Sequence, residues 1–492
     1  MPTPPAGSQS SRIEKDTMGE MTVPSGALWG ASTQRAVENF PISGRPVPAE
    51  IIHAYGHLKA ACADVNRSLG RLNESRHRAI TAAAAEVAAG KHDAHFPIDV
   101  FQTGSGTSTN MNANEVIANL VCLALNKPIG SSKNPDYIGD ARTGSGVHPN
   151  DHVNMGQSSN DTFPTAIHVA AALAIKGRLT PALARLAETL ELQAKTWDKI
   201  IKIGRTHLQD ATPIRLGQEF SGYARQARKA FERANAALAG LCELPIGGTA
   251  VGTGINAHED FGRLVSERLA SKLGVPFREA ANHFEAQHAK DDVVEASGHL
   301  KTIAVSLSKI ASDIRLMGCG PRCGLGELKI PAVQPGSSIM PGKVNPVIIE
   351  AVMMVCARVI GNDAVVTTCG MGGVGGILDL HVAMPVMAEA LLESINLLSG
   401  AANTFTDKCL KGLEADADRC AALIEGSLAM CTSLVPVIGY DKSAALAKQA
   451  YKEGKTVRQL ALEQNLLPES QLKELMNPWS MTLPGGEGSA GG

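Results

Sequence analysis

Residues 300–317 read L-K-T-I-A-V-S-L-S-K-I-A-S-D-I-R-L-M. Leu300, Ile303, Leu307, Ile310, Ile314 and Met317 are spaced alternately three and four residues apart, which puts one continuous apolar seam along an α-helix. Leu179, Leu183, Leu186 and Leu190 repeat the pattern. A bundle of long helices buries such seams, within one subunit or between subunits. After Val347 the run Ile349, Val352, Met353, Val355, Cys356, Val359 is apolar around much of its helix. That predicts burial on several sides, and an oligomeric helical core is the economical explanation.

Composition agrees with a mainly α protein. Hydrophobic residues are 44% of the 492 residues but aromatics only 4%, so alanine, leucine and valine carry the core and favour closely packed helices. At about 150 residues per domain, the length suggests about three domains. With 46 Lys+Arg against 48 Asp+Glu, there is no bulk charge to attract nucleic acid or an acidic membrane, so any anion site must be local. The ten cysteines are dispersed without a C-x-x-C pair and read as reduced thiols. Cys319 and Cys323 lie close in a glycine-containing loop, but no further ligands accompany them, so no metal site is read there. The opening M-P-T-P-P-A-G-S-Q-S-S lacks the apolar core of a signal peptide, and no apolar run is long enough to span a membrane. The expected address is cytoplasmic, with no nucleic-acid or membrane partner.

Three domains are expected. Residues 1–157 form an N-terminal, mixed but mostly helical domain, with 1–12 as a disordered tail and helices over 78–89 and 112–125. A polar turn covers 104–110, and 126–146 reads as a long exposed loop. Residues 158–415 form a central helix bundle. Residues 416–492 form a small C-terminal helical domain with a helix over 440–453 and a disordered Gly-rich tail.

Polar residues gather in a few clusters against this background. Residues 336–346, G-S-S-I-M-P-G-K-V-N-P, combine two hydroxyls, an ammonium and an amide in a loop stiffened by Pro341 and Pro346. Alone, such a loop is commonly a surface turn; together with the other clusters it suits a small carboxylate. Residues 104–115, G-S-G-T-S-T-N-M-N-A-N-E, place hydroxyls and amides before a helix, either as caps or as an anion cradle. Residues 148–162, H-P-N-D-H-V-N-M-G-Q-S-S-N-D-T, do the same before the bundle. In G-R-T-H-L-Q-D-A-T-P, 204–213, His207 is either a structural residue or an acid-base group. The glycines of 247–256, G-G-T-A-V-G-T-G-I-N, lack a P-loop context and read as a turn near the site. Many neutral donors, a lysine and a histidine, with no metal-ligand set, fit acid-base chemistry on a dicarboxylate through an enolate-like carbanion.

The chain resembles the fumarase/aspartase superfamily. G-S-S-I-M-P-G-K-V-N-P looks like its signature, and the likeness runs from about Glu14 through W-G-A-S-T-Q-R-A-V-E-N-F to the C-terminal domain. Within the superfamily it is most similar to the iron-independent class II fumarate hydratases: His207 stands in G-R-T-H where aspartate ammonia-lyases typically have glutamine, and Gly342 stands in P-G-K. No cysteine cluster suggests an iron-sulfur fumarase. The resemblance implies a three-domain fold whose long-helix bundle forms a tetrameric core, active sites shared between subunits, no cofactor, and a step of the tricarboxylic acid cycle.

By the same resemblance Ser337 is the base, His207 acts through water, Lys343 lowers the serine pKa and Glu350 holds the imidazole. Ser105, Gly106, Thr107, Ser158, Ser159, Asn160, Thr206, Ser338, Lys343, Val344 and Asn345 fall on substrate-binding positions, and His148, Pro149, Asn150 and Asp151 on a second anion site. Two departures stand out. The 126–146 loop looks long, with Ser145 where an arginine is common. Residues 376–385 place Leu378, Asp379 and His381 where F-E-L-N is usual, with His381 expected to add a titratable group near the core. Fumarate hydration is therefore the leading expectation. The alternatives are an ammonia-lyase on aspartate or a relative, and a silent structural relative.

Overall fold

A computed structural model describes residues 10–140 and 143–484. The seam lies where its spacing predicts, on the helix Asp291–Met317: Leu300, Ile303, Leu307, Ile310, Ile314 and Met317 are all buried, while Val305 on another face is 55% exposed. Each such buried Leu or Ile stabilises the fold by roughly 1.5–3 kcal/mol. Leu179, Leu183, Leu186 and Leu190 are buried in the same way. Among the described residues the strands pair only as two-stranded ribbons, so the fold is mainly α.

The chain divides into two compact units, residues 1–181, 233–304 and 357–399, and residues 182–232, 305–356 and 400–492. In the first, the helices Ala49–Ser68 and Glu74–Ala88 lie against each other. A Cβ on Gly56 would stand 2.3 Å from the amide nitrogen of Ala88, so glycine sets that spacing. Thr107–Ala124 packs on Glu74–Ala88, and Ser159–Ala174 on Ala49–Ser68. The helix Ala31–Asn39 follows Trp29 and has no side-chain cap of its own. Buried Glu115 replaces one, accepting from the N–H groups of Gly30 (2.9 Å), Ser32 (3.1 Å) and Thr33 (3.2 Å) and the Thr33 hydroxyl (2.7 Å).

The second unit carries the hairpin Ile201–Thr206 and Gln209–Arg215. Ion pairs pin its first strand: fully buried Glu327 takes Arg205, near the tip, at 2.9 Å and Lys202, near the open end, at 3.5 Å, and Lys202 also meets Glu219 at 3.0 Å. The C-terminal helices, including Ala417–Gly426 and Tyr440–Glu453, enclose a separate apolar core of Ile424, Met430, Leu434, Leu446, Leu460 and Leu472. Among the described residues no single helix is long and apolar enough to cross a membrane.

Several expectations shift. Of the expected tail 1–12, residues 1–9 lie outside the described residues, but Ser11 and Arg12 already belong to the strand Ser11–Asp16, where Arg12 donates to the Trp29 carbonyl at 2.6 Å. The C-terminal tail beyond 484 also lies outside. The helix expected from 112 starts at Thr107, so 107–110 are not turn. The 126–146 segment contains the short helix Pro135–Ile138, and Arg76 ties it down through the carbonyls of Ile138 and Gly146, both at 2.9 Å. On the helix Val347–Gly370, Ile349, Val352, Cys356 and Val359 are buried, but Met354 is 68% exposed and Ile360 and Val365 are also open. Burial on several sides is therefore not reached within the single chain.

Candidate active site

In the first unit the hydroxyls of residues 104–107 bond to other hydroxyls and not to the helix end. Gly106, in the left-handed conformation at φ +73°, is the N-cap of Thr107–Ala124, and the side chain that caps that end comes from Gln102, whose Oε1 accepts from Thr109 N at 3.1 Å. The neighbouring hydroxyls are consequently not used as caps. Ser105 Oγ lies 2.8 Å from Thr107 Oγ1, which lies 2.7 Å from Ser159 Oγ, a short chain of hydroxyls joining two helix N-termini. Helix N-termini favour anions, so this arrangement suits a carboxylate. A side chain at 106 would force its neighbours to shift, because a Cβ would fall 2.0 Å from the Phe163 ring. Gly104 is equally hemmed in, 1.7 Å from the Val382 carbonyl oxygen by the same construction.

Ser158, by contrast, does cap. Its Oγ accepts from Asn160 N at 3.2 Å, and its own N–H donates to Asp161 at 2.9 Å, closing a capping box. Fully buried Asp161 also accepts from Gly247 N at 3.2 Å and Thr249 N at 2.9 Å. Burial outweighs these bonds and raises its pKa to about 6. Thr249 is held at φ +54°, a strained conformation for a β-branched residue, and the next carbonyl, Ala250 O, accepts from Asn160 Nδ2 at 2.7 Å. The glycine-rich 247–256 segment is thus a turn that fixes Asn160, as its position next to the site suggested.

His148 begins the second cluster. Its Nδ1 accepts from Asn150 N (3.3 Å) and Asp151 N (3.1 Å) and lies 3.2 Å from Asp151 Oδ2. Burial lowers its pKa, partly opposed by Asp151. Both backbone donors and the downward shift favour a neutral ring with its proton on Nε2. Asn150 and Asp151 are exposed, Pro149 is buried, and Ser145 is exposed.

The second unit holds the signature loop. Ser337 Oγ accepts from Ile339 N at 3.2 Å and Met340 N at 2.9 Å. Lys343 Nζ donates to Asn345 Oδ1 at 2.6 Å, and Asn345 Nδ2 to Gly336 O at 2.7 Å, with Gly336 N bonded to Lys343 O at 3.0 Å. Gly342, at φ +80°, turns the chain between them. Ser338, Lys343 and Val344 are exposed. A cavity of 560 Å³ is lined by Lys343, Val344 and Asn345 together with Arg315, Lys329 and Asp416. Thr206 and His207 are exposed at the hairpin tip, where His207 and Leu208 take φ +55° and +60°. Glu350 is exposed in the first turn of Val347–Gly370. Among the described residues no hydrogen bond links His207 to Glu350 or to Ser337.

The structure therefore joins Ser105, Thr107 and Ser159 in one unit, and Lys343 and Asn345 in the other. His381 differs from expectation. It is fully buried, with Nε2 3.0 Å from Cys369 O and Nδ1 accepting from Ala383 N at 3.3 Å, and burial lowers its pKa to about 4. It is neutral at neutral pH and does not tune the reaction by titrating there. Leu378, 86% exposed, and Asp379 form the turn before it.

Sequence reasoning missed Lys59 and Asp161. Lys59, fully buried, donates to Asn110 (2.8 Å), Asn154 (3.0 Å) and Gln157 (2.9 Å). The available signal was its position: Ile52, Tyr55, Cys62 and Ala63 flank it at helical spacing, so it sits on the apolar stripe. Among the described residues no group of three or more His, Cys, Asp or Glu side chains is placed to hold a metal ion.

Residues 19–361 match the family model described as lyase, and residues 430–483 the model described as fumarase C C-terminus. A Mycobacterium tuberculosis protein named fumarate hydratase class II is 54% identical over 463 residues, covering 94% of this chain and 93% of that protein. The crystal structure of recombinant class II fumarase from Schistosoma mansoni matches at TM-score 0.89 and 37% identity, covering 97% of this chain and all of that one. That of fumarate lyase:delta crystallin from Brucella melitensis bound to cobalt matches at TM-score 0.90 and 42% identity, over 96% of this chain and 100% of that one.

Proposed function

The chain belongs to the class II fumarate hydratase family of lyases, and from that premise we infer that it interconverts fumarate and L-malate by reversible hydration, a step of the tricarboxylic acid cycle. In the dehydration direction Ser337, as alkoxide, takes the proton from C3 of L-malate. The electron pair spreads into the adjacent carboxylate as an aci-carboxylate carbanion. His207, acting through a water, delivers a proton to the C2 hydroxyl, which leaves as water as the double bond forms. Hydration runs the same steps in reverse.

The observation that carries this reading is the pair of backbone N–H groups on Ser337 Oγ, at 3.2 and 2.9 Å. Donors aimed at an oxygen favour its anionic form, and Lys343 adds a positive charge to the same loop. Glu350 orients His207. Ser105, Gly106, Thr107, Ser158, Ser159, Asn160, Thr206, Ser338, Lys343, Val344 and Asn345 hold the substrate carboxylates, and His148, Pro149, Asn150 and Asp151 form the second anion site. No metal or cofactor takes part.

The enzyme is a homotetramer with sites shared between subunits. What supports an assembly is the open apolar side chains of Val347–Gly370, such as Met354 at 68% exposure. Its domains are 1–157, 158–415 and 416–492, and it works in the cytoplasm. The test is ultraviolet absorbance of fumarate formed from L-malate by purified, chelator-treated protein, with a parallel ammonium assay on L-aspartate. Fumarate from malate is expected, and Ser337→Ala should lower turnover by roughly 10²–10⁴-fold while leaving assembly intact. Ammonium from aspartate with no fumarate from malate would overturn the reading.

A further inference from the structure

The Lys59 ammonium is sealed inside the first unit, surrounded by three neutral amide oxygens and, 5.7 Å away, the Tyr55 ring. Among the described residues no carboxylate bonds it directly. Burying a cation this way costs several kcal/mol, and a neutral donor could tether the same oxygens more cheaply. The positions of its partners account for the charge. Asn110 lies in the first turn of Thr107–Ala124, whereas Asn154 and Gln157 lie in the turn leading to Ser158, the cap of Ser159–Ala174. Thr162 of the second helix also donates to Asn110 Oδ1 at 3.2 Å, closing the network. These are the two helices whose N-terminal hydroxyls, Thr107 and Ser159, meet at 2.7 Å.

We propose that Lys59 is a positioning residue for the substrate carboxylate: it locks the two helix N-termini in register and holds a positive charge on Asn110, three residues along the helix from the Thr107 hydroxyl that receives the anion. The proposal rests on the reading of Ser105, Thr107 and Ser159 as the carboxylate cradle. Burial lowers the Lys59 pKa to about 7. The titratable groups facing it are Tyr55 and Cys62 on its own helix and Asp161 on Ser159–Ala174. Burial drives the Tyr55 and Cys62 pKa values upward, so both stay protonated, and Asp161 titrates lower, at about 6. A bound dianion favours the charged ammonium. Binding should therefore take up a proton near neutrality and weaken as pH rises past about 7.

The experiment uses the assembled enzyme and succinate, an unreactive dicarboxylate. Calorimetry in two buffers of different ionisation enthalpy gives affinity and proton uptake, and steady-state kinetics give KM and kcat for fumarate from pH 6 to 9. Lys59→Met should raise the succinate Kd and the fumarate KM about tenfold or more, reduce kcat less, and abolish the proton uptake. Lys59→Arg should recover most of the affinity but lose the weakening above pH 7, because its charge does not titrate there. Wild-type KM and an unchanged pH profile in Lys59→Met would overturn the proposal. Should that variant fail to fold, absence of proton uptake by the wild type between pH 7 and 8 overturns it alone. If the wild type hydrates fumarate but these effects are absent, only the Lys59 role falls; if it does not hydrate fumarate, the proposed function falls.

Discussion

Gly106→Ala should be among the most damaging single-methyl additions in the chain. The added Cβ would lie 2.0 Å from Phe163 Cδ2 and 2.2 Å from Cγ, where carbon atoms normally stand about 3.5–4.0 Å apart. Phe163 is fully buried and cannot swing into solvent. Overpacking of this kind costs about 1–3 kcal/mol, and alanine at φ +73° adds about 1–2 kcal/mol of left-handed strain, so the total is about 2–5 kcal/mol. Unfolding entropy of about 2.1 cal/mol/K per residue gives a 492-residue chain about 1 kcal/mol/K, so the melting temperature should fall by roughly 2–5 °C. The discriminating assay is a cycle with Phe163→Ala, which removes every ring atom the added methyl would meet, read by calorimetric melting and by the fumarate KM. Trimming the side chain to Cβ removes the clash but not the backbone strain, so the double variant should melt about 1–3 °C above the additive expectation while still below Phe163→Ala alone. Because Thr107 follows directly, KM should rise in Gly106→Ala and partly recover in the double variant. Strictly additive melting shifts would refute the steric reasoning.

Two further outcomes are expected. Leu208→Gly, at an exposed position with φ +60°, should stabilise the protein by up to about 1 kcal/mol yet lower turnover several-fold, since strain at a functional tip is retained for geometry; unchanged turnover would show that it serves nothing in the reaction. Asp161, raised from 3.8 to about 6 in the fold, contributes stability that is fully present below pH 3.8 and lost as pH rises through about 6, roughly 3 kcal/mol in all. Melting temperatures of Asp161→Asn and wild type between pH 4 and 7 should therefore diverge across that window, and parallel curves would refute the assignment.

The seam at 300–317 was legible because helical periodicity is a local property that a single stretch displays in full. The polar clusters could be located by residue type, and some of their side chains do bond to one another, as Ser105, Thr107 and Ser159 do. Lys59 was not. A lysine within a helix ordinarily reads as surface, and its partners lie 51, 95 and 98 residues away. The start at Thr107 was placed late because Ser, Thr and Asn have weak helix propensity; tertiary bonds such as Gln102 Oε1 to Thr109 N, at 3.1 Å, overrode it. Nothing in His207-Leu208 signals a left-handed turn, which normally asks for Gly or Asn; the pairing of Thr206 with Gln209 leaves only two residues to connect the strands, and such a connection favours positive φ at both. Apolar spacing along 347–370 told how much surface needs cover but not what covers it.

The cap that Glu115 gives to the helix Ala31–Asn39 sets an order of events during synthesis. That helix is nine residues long, too short to persist alone in water. The carboxylate that completes it is encoded 82–85 residues downstream of the amides it receives. At about 5–20 residues per second on the ribosome, the nascent segment must wait roughly 4–17 s for its partner to be made, and longer for it to clear the exit tunnel. The N-terminal W-G-A-S-T-Q motif therefore emerges first but matures only after Thr107–Ala124 has formed, so early translation leaves it open to chaperones and proteases.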